Sequence, residues 1–282
     1  MTNVVPLDQD HHVHSTFSDD AVSTVAENVA AARERGLRTL CLADHVRHDS
    51  AWVPDFVSAV DALRPVPGLD VLAGVEAKIL DRTGRLDLPE GIGGTDVVLI
   101  ADHQFPGDLG PVHPRAMRDA IATGLVTPAE VIDCLIDATT GALMTATQLE
   151  QRPQLAHLFS IVPKMGLDEE AVSDRAICQL ARQARAAGAW LEVNEKWACP
   201  SSRTVRAFGE AGVDLVASTD SHDCRDIGAY SWVRRIADGA APDPPDGAVL
   251  GGRTPPDPRD GAVLGGRTPP DPPDGAQHGA VP

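Results

Sequence analysis

Short apolar runs alternate with stretches whose apolar positions recur at helical spacing over residues 1–237. Runs at 39–43, 71–75, 96–101, 155–159, 189–193 and 214–218, with a segment ending near Val13, give seven expected strands. Between them, residues 22–35 place Val22, Val25, Val29 and Ala32 on one helical face and stop at Gly36. Thr127 reads as an N-cap, with Pro128 at the first helical position and Glu130 at the third. A third helix is expected over 168–187, closed by Gly188. Strands that alternate with helices need crossover connections, which makes the sheet parallel. Seven such units are expected to form an α/β barrel related to the eight-stranded kind.

The pattern breaks down near the C-terminus. From Asp243 onward, Asp-Pro-x-Asp-Gly recurs at Asp243, Asp257 and Asp271, and Pro and Gly dominate. A segment with so little to bury is expected to stay disordered, which divides the chain into a domain over 1–237 and a repeat tail over 238–282.

Composition narrows the function classes. Apolar residues make up 43% of the 282, enough for one large core, while aromatics are only 4%, which suits a barrel packed with small and branched side chains. The net charge of −17 repels a long nucleic acid. The five cysteines form no C-x-x-C pair, and the N-terminus lacks the basic start and apolar run of a signal peptide. No apolar stretch reaches the length of a membrane span, so a cytoplasmic chain with no membrane contact is expected.

Candidate chemistry clusters where the expected strands end. His12 and His14 lie two apart at the end of the first and share a face. His45 closes the second and Glu76 the third. His103 follows the fourth, His157 lies in the fifth, and Asp220 and His222 close the last. Each alone has an ordinary structural explanation, such as a helix cap or a solvated rim. Together they place six of the ten histidines at strand positions, on the face where barrel enzymes build their sites. Imidazole and carboxylate ligands without cysteine suit zinc, manganese or iron.

Asp10-His11-His12-Val13-His14-Ser15-Thr16-Phe17-Ser18-Asp19 resembles the opening motif of the PHP (polymerase and histidinol phosphatase) family. Leu42-Ala43-Asp44-His45 resembles its second motif, and Asp220-Ser221-His222 its last. The resemblance spans nearly the whole body. It implies a distorted seven-stranded TIM-like barrel holding two or three divalent ions. By resemblance, His12, His14, Glu76 and Asp220 hold one ion, and Glu76 bridges to a second on His103 and His157. A third takes His45, His222 and an acid of the first loop, assigned to Asp19 in preference to its neighbour Asp20. His157 departs from the family pattern, since Leu158 follows it where many members have Pro.

The implied activity is hydrolysis of a small phosphomonoester, of the histidinol phosphate type or a nucleotide phosphate, by a metal-activated hydroxide, with Glu76, Asp220 and His222 in the catalytic roles. Arg47, Lys78 and Lys196, each just past a strand end, are candidates to hold the phosphoryl group, with Lys164 of the same type. Asn194 is a candidate to orient substrate. Three rivals stand beside it: a metal-dependent amidohydrolase, which also opens on His-x-His, a phosphodiesterase or nuclease acting on short nucleotides, and a metal-stabilised binding module without turnover, against which the complete ligand set argues.

Overall fold

The computed structural model describes residues 4–239. The repeat tail lies outside the described residues except for its first two positions. In chain order the elements are β1 (Gln9–Val13), α1 (Val25–Glu34), β2 (Thr39–Val46), α2 (Val53–Asp61), β3 (Asp70–Lys78) and β4 (Val97–Ala101). Next come β5 (Phe105–Gly107), β6 (Gly110–Val112), α3 (Pro114–Ala122), α4 (Pro128–Ala146) and β7 (Arg152–Leu155). The chain continues through α5 (Asp174–Ala186), β8 (Trp190–Asn194), α6 (Ser202–Glu210), β9 (Asp214–Ser218) and α7 (Trp232–Ala237).

Seven parallel strands form one sheet in the order β1-β2-β3-β4-β7-β8-β9. The sheet nearly closes on itself. Val13 bridges Ser221, and the His14 amide donates to the Ser221 carbonyl at 2.8 Å. All seven expected strands are present, so the expected barrel is the observed one.

Strand alternation sorts the barrel into two cores. On β2, Leu40 and Leu42 pack outward with Val29 of α1 and Phe56 of α2. On β4, Val98 and Ile100 face outward to Val131 and Leu135 of α4. The intervening residues Cys41, Ala43, Leu99 and Ala101 join Ala156, Leu72 and Trp190 inside. That interior is tight at Gly74, where a Cβ would lie 3.0 Å from Cys41 Sγ and 3.2 Å from Leu99 Cδ1.

Three boundaries differ from the sequence reading. The first helix starts at Val25, because Thr24 and Glu27 form a capping box and leave Val22 outside. The strand expected over 155–159 is β7 and ends at Leu155, after which His157 and Phe159 take positive φ. Helix α5 begins at Asp174, capped by Ser173, because Asp168 caps a separate short turn, Glu169–Ala171. The Gly- and Pro-rich stretch after β4 forms the β5–β6 hairpin and leads to α3, capped by His113.

Candidate metal centre

The inward-facing rows of the strands end in polar residues. On β2 the row is Cys41, Ala43, His45, and on β3 it is Gly74 then Glu76, with His45 and Glu76 in register. On β8 it is Trp190, Glu192, Asn194, and on the β9 side Ser218 leads to Asp220. One parallel direction places all these ends at one mouth.

Glu76 is the hub. It is 2% exposed. Its Oε1 lies 2.9 Å from Nε2 of both His103 and His157. Its Oε2 lies 2.7 Å from His45 Nδ1, 3.5 Å from His12 Nε2 and 3.6 Å from His14 Nε2. Asp220 Oδ1 stands 3.2 Å from His14 Nε2 and 3.6 Å from His222 Nδ1. Four triads have donor atoms within 4.8 Å of one another: His12–His14–Asp220, His12–Glu76–His157, His45–Glu76–His103 and His14–His45–His222.

The donors fit divalent ions on two counts. His12 Nε2, His14 Nε2 and Glu76 Oε2 are buried and converge, and their close contacts to one another, to His45 and to Asp220 lack hydrogen-bond geometry. Orphaned buried polar atoms cost about 1–3 kcal/mol each, so a cluster of them marks a place built for a ligand. The opposite ring nitrogens are occupied. His12 Nδ1 meets Glu192 at 3.0 Å, His14 Nδ1 meets Ser18 Oγ at 3.3 Å, and His157 Nδ1 meets Ser160 Oγ at 3.1 Å. That division of each ring is how metal-binding imidazoles are oriented. His157 and Asp220 also hold positive φ, of 30° and 53°, a strain expected where function fixes the backbone.

The electrostatics follow the packing. Burial would raise the Glu76 carboxyl, but His103, His12 and His45 hold it well below the usual carboxylate range. Asp220 is likewise held well down against burial, by Lys196 and His12. Burial opposes charge on His45, yet Glu76 and Asp20 raise it to about 10. His14 is pushed well below its ordinary value by burial, reinforced by His222 and His45.

Of the two first-loop acids, the structure brings Asp20 to the centre. Its Oδ2 lies 3.5 Å from His45 Nε2 and 3.4 Å from His222 Nε2, although neither Asp19 nor Asp20 belongs to the four triads. The turn from Ser15 to Ser18, with both hydroxyls bound to Asp44, leads into these two acids.

The expected substrate residues are spread around the mouth. Lys196 Nζ lies 3.3 Å from both Asp220 Oδ1 and His222 Nδ1. Lys78 Nζ is 3.3 Å from Gln104 Oε1, on the β3–β4 side, and Arg47 is exposed just past β2. Asn194 is buried, and its amide is used internally: Nδ2 donates to Glu192 Oε1 and Oδ1 accepts from the Trp197 amide.

Sequence reasoning missed Glu192, Asp102 and Asp44, the buried carboxylates behind the ligands. Glu192 binds His12, Gln154 and Asn194. Asp102 binds Ser160 beside His157. The available signal was Glu192 itself, a lone charge on the inward row of an apolar strand.

Parallel α/β barrels with a histidine- and carboxylate-lined centre at the mouth are the class that this fold and geometry define. Within that class the chain belongs to the PHP domain family, whose model matches residues 10–188. Asp220 and His222 lie beyond the matched span, and the geometry joins them to it. A probable phosphatase of Thermoanaerobacter sp. strain X514 is 36% identical over 118 residues, 40% of this chain and 48% of that protein. The chain thus spans about half the length of the first curated relatives it matches. A probable phosphatase of Caldanaerobacter subterraneus subsp. tengcongensis is 25% identical over 237 residues, 80% of this chain and 81% of that protein. The crystal structure of histidinol phosphate phosphatase from Lactococcus lactis, complexed with zinc, L-histidinol and phosphate, shares the fold with a TM-score of 0.60 at 17% identity. The match covers 82% of this chain and 93% of that one. Among the described residues no helix is long and apolar enough to cross a membrane.

Proposed function

We propose that the chain is a metal-dependent phosphatase that releases phosphate from a small phosphomonoester. The observation that carries this reading is the convergence of five imidazoles on one buried glutamate, Glu76. Names of the family relatives support the reaction class.

His12, His14, Glu76 and Asp220 would hold one ion, and Glu76, His103 and His157 a second. His45, His222 and Asp20 would hold a third. Zinc, manganese and iron all suit these donors. When bound, such ions supply the Lewis acidity that lets a water lose its proton near neutral pH, and the positive charge that offsets a phosphoryl group.

The chain's own residues supply the rest. Glu192, Ser18 and Ser160 fix the rings of His12, His14 and His157 before substrate arrives, so little reorganisation accompanies the reaction. Asp220 stays ionised and holds Lys196 at the edge of the cluster, where the ammonium can bind a phosphoryl oxygen. Lys78 and Arg47 offer cations on the opposite side of the mouth. Asn194 acts by bracing Glu192 and the Trp197 turn.

A phosphate-release screen over small phosphomonoesters, with and without chelator, tests the proposal. Chelator-sensitive release is expected. Metal-dependent cleavage of amides or lactones with no phosphate release would move the assignment to an amidohydrolase, and cleavage of diesters alone to a phosphodiesterase.

A further inference from the structure

The chain contains three lysines, Lys78, Lys164 and Lys196, and every other basic residue apart from histidine is arginine. All three lysines stand around the candidate centre. Two have partners there: Lys78 has Gln104 and Asp87, and Lys196 has Asp220 and His222. Lys164 has neither a hydrogen bond nor a carboxylate within ion-pair distance among the described residues. Its Nζ sits 3.7 Å from the centroid of the Trp197 ring.

That ring is itself fixed against the centre. The Trp197 indole N–H donates to Asp220 Oδ2 at 2.8 Å, and the backbone amide donates to Asn194 Oδ1 at 2.8 Å. The His157 ring lies 6.3 Å away, centroid to centroid. Lys164 is equally constrained at its base. It lies in the short turn Pro163–Met165, closed by Gly166 at φ 76°, which packs against α3. Lys196 approaches the same indole at 5.7 Å. Two ammonium groups therefore share one ring. Lys196 is bound to the Asp220–His222 edge, and Lys164 stands off that edge with its donors unspent.

We propose that Lys164 and Trp197 form a second anion subsite beside the metal centre, so that the substrate carries an additional carboxylate or phosphate on its leaving-group side. This rests on the phosphatase reading for its biological meaning, but the subsite is defined by binding alone.

Charge argues in the same direction. The protein as a whole is strongly acidic, so an anion is attracted only where cations are concentrated and carboxylates are already engaged. Asp102 is engaged by Ser160, and Asp220 by His14, Lys196 and Trp197. A π face attracts an ammonium but accepts no conventional hydrogen bond, so the three N–H donors of Lys164 remain available for an oxyanion. Burial also lowers the Lys164 pKa, a penalty that an anionic partner would relieve. A leaving group with its own positive charge, such as an amino alcohol, would be repelled at this position. The favoured substrates are then phosphorylated acids or bisphosphates rather than phosphorylated amines.

Isothermal titration of the manganese-loaded full chain tests this with three short phosphonates that differ at one end. These are propylphosphonate, 3-phosphonopropanoate and 3-aminopropylphosphonate. The carboxylate ligand is expected to bind about tenfold tighter than the neutral one, which is about 1.4 kcal/mol, and the amine weakest. In Lys164→Met the advantage of the carboxylate should collapse, and in Lys164→Arg most of it should remain. Equal binding of the three ligands by the native protein, or an advantage that survives Lys164→Met, overturns the subsite. Equal binding by the native protein overturns the subsite even where Lys164→Met fails to fold, and Lys164→Gln then serves as the second neutral variant. Phosphate release from the matching esters is read separately. A carboxylate preference without any release would leave the subsite standing and remove the phosphatase reading, while release without preference would do the reverse.

Discussion

At the residue scale, the clearest consequence concerns a side chain that touches no ion. Glu192 binds His12 Nδ1 and is held in turn by Gln154 and Asn194. Partners of this kind typically contribute 10- to 100-fold in metal affinity. Glu192→Gln should therefore weaken metal binding by about that factor while the fold is kept, as read by competition with a chromogenic chelator. Unchanged affinity would show that Glu192 is only a packing residue. His11 gives a second consequence. It is 3% exposed, sits edge-on to Trp190, and burial lowers its pKa to about 4. The unfolded chain takes up that proton from pH 6.5 downward, whereas the folded chain does so only near 4. Its contribution to stability is thus complete above pH 6.5 and is lost as pH falls toward 4, at up to about 1.4 kcal/mol per unit. Asp10 works in the opposite sense, because burial raises it to about 6 and its contribution is lost as pH rises through that value. Comparing native protein with His11→Phe in urea unfolding, metal-free, at pH 7, 6 and 5 cancels the Asp10 part. The variant should show the shallower acid loss, and parallel curves would contradict the assignment.

The residues that converge on Glu76 were legible as a group because they end apolar runs, a position where a histidine is conspicuous. The first-loop acid was assigned to Asp19, and the structure puts its neighbour Asp20 beside His45 and His222. Two adjacent aspartates look alike in sequence, and only the folded loop gives Asp20 its distances to His45 and His222. Glu192, Asp102 and Asp44 were not legible as supports, because their partners lie far away in the chain.

At the scale of elements, the strands and the Thr127–Glu130 capping box followed from local signals, while the Thr24–Glu27 box, equally complete, was passed over and the first helix begun at Val22. The β5–β6 hairpin and the bend after Leu155 did not follow, since their conformations are set by tertiary contacts. One contact between elements has a sign that sequence alone would invert. Gly141 lies within α4, where Ala would ordinarily be favoured by about 1 kcal/mol. A Cβ there would come 2.2 Å from the Thr83 carbonyl oxygen, and one on Gly84 would come 2.0 Å from the Ala142 amide nitrogen. Helix α4 and the turn after β3 thus meet backbone to backbone. Gly141→Ala should destabilise the protein by about 1–3 kcal/mol, lowering the melting temperature by several degrees. A stabilised variant would rule out that close contact.

For the whole molecule, the barrel converts a one-dimensional rule into a site. On β2 and β4 the inward row runs from apolar residues such as Cys41, Ala43 and Ala101 to a polar end, and one shared strand direction collects the polar ends of all the strands. The interior is low in bulk where the ligands begin, which leaves room for the histidines to converge on Glu76. The seven-stranded barrel was legible from the alternation itself. The mutual placement of the ligands was not, because it depends on near closure between β1 and the segment after β9.

The central claim is that the side chains around Glu76 hold the ions that perform phosphoester hydrolysis. It is tested most directly by measuring metal content and phosphate release together in native protein and Glu76→Ala. The account predicts two or three equivalents of metal with chelator-sensitive release in the native chain, and loss of both in the variant. A variant that keeps its metal and its activity would contradict it.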